Sequence, residues 1–127
     1  MLTWRRTGFA LVVLWFFIGG IGHFLWLDTY ASVVPSWVPY PREVALLTGV
    51  CDVAGALGIL WRPTRRFAGY ALMLYCVSVT PVHIEMLQHA ERFSIFPIGV
   101  LWARLLFQPV LIWIIWRCVV QPSPAAA

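Results

Sequence analysis

Four long apolar stretches, separated by polar or proline-rich breaks, organise the chain. They run from about Thr7 to Leu27, Val44 to Trp61, Phe67 to Leu87 and Ile95 to Trp116. Each is close to the roughly 20 residues a helix needs to cross the hydrocarbon core of a bilayer. The pattern predicts an all-α chain folded as a four-transmembrane-helix antiparallel bundle. Residues 1–118 form its single domain, and residues 119–127, small and proline-broken, form a disordered C-terminal tail. The break from Arg62 to Arg66 is so short that the spans on either side must be antiparallel neighbours. The first break, Asp28 to Glu43, is longer and carries Pro35, Pro39 and Pro41 among Tyr30, Val33, Val34, Trp37 and Tyr40. A loop this apolar and stiff is expected to lie at the membrane interface or fold over the outer mouth of the bundle.

Composition closes off the alternatives. Of the 127 residues, 61% are hydrophobic and 11% charged, against roughly 45–50% apolar and 25% charged in a soluble domain. There is too little charge to cover a soluble surface, so a soluble globular domain, a disordered chain and a coiled coil are excluded. The net charge of +4 comes entirely from arginine, and no basic run is interleaved with aromatics, so a nucleic-acid partner is not expected. The charges instead flank the spans. Arg5, Arg6, Arg62, Arg65, Arg66 and Arg117 fall on one side without an acid; Arg42 and Arg92 fall on the other with Asp28, Glu43, Glu85 and Glu91. The arginine-rich side reads as cytoplasmic, which places both termini there and the proline-rich first loop outside. Trp4, Trp61 and Trp116 at one interface and Trp26 and Trp37 at the other agree with this. Arg5 and Arg6 before an apolar run resemble a signal peptide, but the run is too long and no A-x-A site follows, so the segment reads as uncleaved. The expected location is a bacterial cytoplasmic (inner) membrane, with the lipid bilayer as the first partner.

Chemistry is sought among the polar residues inside the spans, each costing roughly 2.5–3.5 kcal/mol at mid-membrane if charged. These are His23, Asp52, His83, Arg104 and Gln108. At about 1.5 Å of rise per residue, Asp52 and Arg104 lie roughly 12–14 Å below the outer ends of their helices, and His23 and His83 about 6 Å below. Opposite charges at matched depth predict an Asp52–Arg104 pair, with Gln108 one turn further along the Arg104 face. Small residues around Asp52 (Ala45, Thr48, Gly49, Gly55, Ala56) and Gly19 and Gly20 below His23 allow close helix approach. Pro81 and Pro109 each release a backbone carbonyl beside this level. His23, Asp52, His83, Arg104 and Gln108 are therefore the candidate ligand-binding set, with Asp52, His23 and His83 the candidates for acid–base work. His23 and His83 alone are too few to hold a metal. Cys51, Cys76 and Cys118 form no C-x-x-C pair, which excludes a dithiol mechanism.

Several motifs resemble the DoxX family of small membrane proteins. They are Gly20-Ile21-Gly22-His23-Phe24; then Tyr30, Val34-Pro35, Trp37, Pro39 and Pro41; Thr48-Gly49-Val50-Cys51-Asp52 with Gly55 and Gly58; Pro63-Thr64-Arg65-Arg66; Pro81 with His83; Trp102-Ala103-Arg104; and Gln108-Pro109 followed by Trp113 and Trp116. The resemblance covers roughly residues 10 to 118 and implies a four-helix transmembrane bundle. Asp52 stands where that family usually has Glu, and His83 where it usually has Asn. The resemblance implies association with membrane redox systems, including a subunit of a thiosulfate:quinone oxidoreductase and partnerships with thiol- or superoxide-handling enzymes; distant animal relatives act as assembly chaperones.

Three functions follow as expectations. One is an accessory component of a membrane redox system that binds a membrane or periplasmic redox protein, a quinone or another lipid-soluble ligand. Another is an enzyme acting on a small lipophilic substrate, with Asp52 or a histidine as acid or base and Arg104 stabilising an anion. The last is an assembly chaperone or interaction bundle with a purely structural Asp52–Arg104 pair.

Overall fold

The apolar stretches fold as expected into helices, and the local sequence explains their ends. A computed structural model describes residues 2–93 and 97–122, which are helical throughout apart from short turns. Helix α1 spans Leu2–Leu25, and after a break at Trp26 the short α2 spans Leu27–Ser32. Helix α3, Pro41–Leu60, begins with proline at its first position, where the missing N–H is not needed. Tyr40, just before it, takes the left-handed conformation (φ 56°) that turns the chain into the helix. Trp61 is extended ahead of Pro63 and ends α3. The exposed carbonyls of that end are then capped: Thr64 Oγ1 donates to Gly58 O (2.7 Å) and Arg65 Nε to Ile59 O (2.7 Å). Helix α4 spans Arg65–Gln88 and carries Pro81; α5 spans Ile98–Ile115 and carries Pro109.

Four helical segments are long and apolar enough to cross a membrane: Thr3–Leu25, Pro41–Leu60, Arg62–Gln88 and Ile98–Val120. Only 22–28% of each apolar window is buried within the protein. Leu14, Ile18, Leu47, Leu57, Leu74, Val77, Leu106 and Val110 instead face outward. Apolar surface on this scale marks contact with a lipid or protein partner, and over four such lengths a bilayer is the solvent that fits.

Helix α1 packs most extensively on α3, α3 on α4, α4 on α5, and α5 back on α1, while α3 and α5 are not packing neighbours. The shared core contains Val12, Phe16, Ala56, Ile59, Leu72, Cys76, Leu111 and Ile115. It is densest towards the end that holds the two described chain ends, where Arg5 donates to Gln121 O (2.6 Å) and Pro122 O (3.0 Å). The expected boundary of the tail is corrected here. A π-helical turn, Trp116–Val120, continues α5, and Val119 and Val120 are buried against α4 at Gly69. Their apolar side chains have a core to enter, so the ordered chain extends past residue 118; residues 123–127 lie outside the described residues.

At the opposite end the core is looser and the α1–α3 connection covers it. Helix α2 packs on α3, Pro35 is buried, and Asp28 is paired with Arg42 across the loop.

Candidate functional site

A close crossing of α1 and α3 sets the position of the site. A Cβ on Gly49 of α3 would lie 2.6 Å from the His23 Cβ, and one on Gly20 of α1 would lie 3.0 Å from Gly49 O. Glycine at both positions lets α1 and α3 touch backbone to backbone, and His23 consequently reaches across to α3. Its Nδ1 lies 2.9 Å from Ala45 O and 3.1 Å from Thr48 Oγ1, and Thr48 Oγ1 itself donates to Ala45 O (2.8 Å). A carbonyl can only accept, so Nδ1 carries a proton and donates it to Ala45 O.

That assignment turns Nε2 towards Asp52, whose Oδ2 is 3.6 Å away. At that distance the two groups attract as an ion pair when the imidazole is protonated and as a polar contact otherwise. Asp52 is buried (6% exposed), and its Oδ1 has no hydrogen-bond partner among the described residues.

The expected Asp52–Arg104 pair is therefore corrected. Among the described residues the ionic partner of Asp52 is His23. The physical reason is topological: matched depth counts only between neighbouring helices, and α3 and α5 lie diagonally, whereas the two glycines bring α1 against α3. Arg104 is within electrostatic reach of Asp52 but forms no salt bridge with it. Its guanidinium carbon lies 4.9 Å from the centre of the Trp15 ring, a cation–π contact, and its Nη1 is buried without a hydrogen-bond partner among the described residues.

A partly open cavity of about 790 Å³ occupies the loose end of the molecule. Its walls come from the end of α1, the α1–α3 connection, α3, α4 and α5, and they are mainly apolar. Of the candidates, His23, His83 and Arg104 line it. Asp52 does not; it stands behind His23. Gln108 is buried outside the lining, with its Oε1 unpartnered among the described residues. The loop acts as a roof: Tyr30 and Trp37 border the cavity, and the Tyr30 ring lies 4.0 Å from the His23 ring, centre to centre.

Thr48, Tyr30, Tyr75 and Trp15 also stand beside the candidate residues, although none of them is among the candidates that the sequence predicts. Tyr75 borders the cavity and its hydroxyl stands within electrostatic reach of Asp52. Thr48 was legible as a polar residue one turn before Asp52. Trp15 and Tyr75 carry no such signal, since aromatic residues in spans usually only pack.

The fold and the cavity together define an all-helical protein with four helices able to cross a membrane and a roofed, largely apolar chamber with histidine and arginine in its lining. The chain belongs to the family described as Domain of unknown function (DUF8561), whose model matches residues 11–119. No curated protein and no solved structure shows significant similarity to it.

Proposed function

We propose that this protein holds a lipid-soluble ligand in its roofed cavity as an accessory component of a membrane redox system. The observation that carries the reading is the cavity itself: about 790 Å³, mainly apolar, with Arg104 and two histidines among its few polar groups. That size and lining fall within the range of sites that bury a small organic molecule. The redox setting comes from the DoxX resemblance, which also makes a quinone the first ligand to test and a membrane or periplasmic redox protein the partner. In this reading the helices form an antiparallel bundle in a bacterial inner membrane. The ends bearing Arg5, Arg6, Arg62, Arg65, Arg66 and Arg117 lie in the cytoplasm, and the roofed cavity opens towards the other side.

The purely structural reading required Arg104 to be neutralised by Asp52. With Asp52 facing His23, Arg104 remains available to a ligand. A second reading, an enzyme acting on a lipophilic substrate, draws on His23, which borders the cavity and lies 3.6 Å from Asp52. It predicts a turnover that His23→Gln abolishes while ligand binding survives.

The test is saturable binding of decylubiquinone, together with identification of lipids that copurify with the protein. Val82→Trp, which places an indole in the cavity wall, should abolish both without unfolding the protein. Absence of any bound lipid and of quinone binding in the unaltered protein would end the proposal.

A further inference from the structure

The charges around the cavity narrow the kind of molecule it accepts. We propose that the occupant is a lipophilic anion of fatty-acid type whose carboxylate docks on Arg104; this rests on the ligand-holding function above.

Among the described residues no Asp or Glu lines the cavity, although Arg104 does. The buried carboxyl of Asp52, outside the lining, lies 3.6 Å from the His23 imidazole and forms no salt bridge with Arg104 among the described residues. Trp15 covers one face of the guanidinium, an interaction that leaves its N–H edges unsatisfied, and Nη1 accepts no compensation from the described residues. A guanidinium out of water needs hydrogen-bond acceptors and a counter-charge. A carboxylate supplies both, because its two oxygens match the fork of donors on an arginine. His83, which borders the same cavity, adds a ring N–H able to donate to a second oxygen lone pair. The mainly apolar walls and the roof then take the hydrocarbon chain. A neutral head would leave the charge unbalanced, and an ammonium head would meet Arg104 directly.

Three probes with one hydrocarbon chain separate head from tail: oleate, oleyl alcohol and oleylamine, each counted on the detergent-solubilised protein by native mass spectrometry. The expected result is at least about tenfold tighter binding of oleate than of the alcohol, the size of one charge-assisted hydrogen bond, and weaker binding of the amine still. Arg104→Lys should keep a preference for oleate, and Arg104→Gln should erase it by weakening oleate and not the alcohol. Equal affinity for oleate and the alcohol in the unaltered protein overturns the inference, whatever the variants do. Binding of decylubiquinone without a preference for oleate overturns it and leaves the ligand-holding function standing. Binding of none of these probes overturns both.

Discussion

Removing the imidazole of His23 tests whether Asp52 belongs with α1 or with α5. In the folded protein Nε2 stands 3.6 Å from Oδ2. With the imidazole protonated and the carboxyl ionised, two unit charges at that distance attract by about 4–5 kcal/mol at an effective dielectric constant of 20, before desolvation is subtracted. With the proton on the carboxyl, the contact is polar and weaker. His23→Leu also removes the hydrogen bond to Ala45 O and leaves the buried carboxyl without its near partner. Breaking one side of such a pair costs about 3–5 kcal/mol. His23→Leu combined with Asp52→Leu should recover much of that loss, giving a coupling energy of about 1–3 kcal/mol. The parallel cycle of Asp52→Leu with Arg104→Leu should give less than about 1 kcal/mol, because those residues share no direct contact. Reversible unfolding in mixed micelles, followed by circular dichroism, measures both cycles. A larger coupling between Asp52 and Arg104 than between His23 and Asp52 would refute the assignment.

Gly49→Leu should lower the unfolding free energy by at least about 1–3 kcal/mol through overpacking against α1, whereas Gly99→Ala, whose added methyl meets nothing within 4 Å, should leave it unchanged or slightly raised; equal effects in the same micelle assay would contradict the close α1–α3 crossing. Tyr40 has positive φ, so Tyr40→Gly should be neutral or stabilising by about 1 kcal/mol and Tyr40→Val destabilising; a stabilising valine would show that the turn is not strained. A reporter fused after Arg117 should be cytoplasmic, and single cysteines at Asp28 or Glu91 should react with an impermeant label from outside; labelling at Thr64 from outside would reverse the topology.

The four spans were legible because hydrophobic length alone specifies them, and their observed ends differ by only a few residues. The Arg62–Arg66 turn also gave away its boundaries, since so short a break leaves little choice, whereas Pro41 reads as loop and turns out to be the first residue of α3. The apolar, proline-stiffened Asp28–Glu43 loop left two places open, the membrane interface or the mouth of the bundle, and its residues are found lining the cavity. Partner assignment failed for a physical reason. Depth along a helix can be counted from sequence, but which helices are neighbours cannot, and Asp52 and Arg104 share a depth on diagonal helices. Gly20 and Gly49 held the missing information, because two glycines at one crossing let α1 and α3 approach closely enough for His23 to reach Asp52. The last turn was misjudged for a different reason. Val119 and Val120 precede a Pro-Ala-rich stretch, yet Gly69 on α4 offers them a groove that local composition does not reveal.

A ligand in the cavity, with its head on Arg104, should be visible directly in an experimental structure of the protein purified from its own membrane in mild detergent. The expected result is elongated density running between the α1–α3 connection and helices α3, α4 and α5, with a polar end within hydrogen-bond distance of Arg104 Nη1. Collapse of the cavity, with Tyr30 and Trp37 packed into it and Arg104 paired to Asp52, would contradict it.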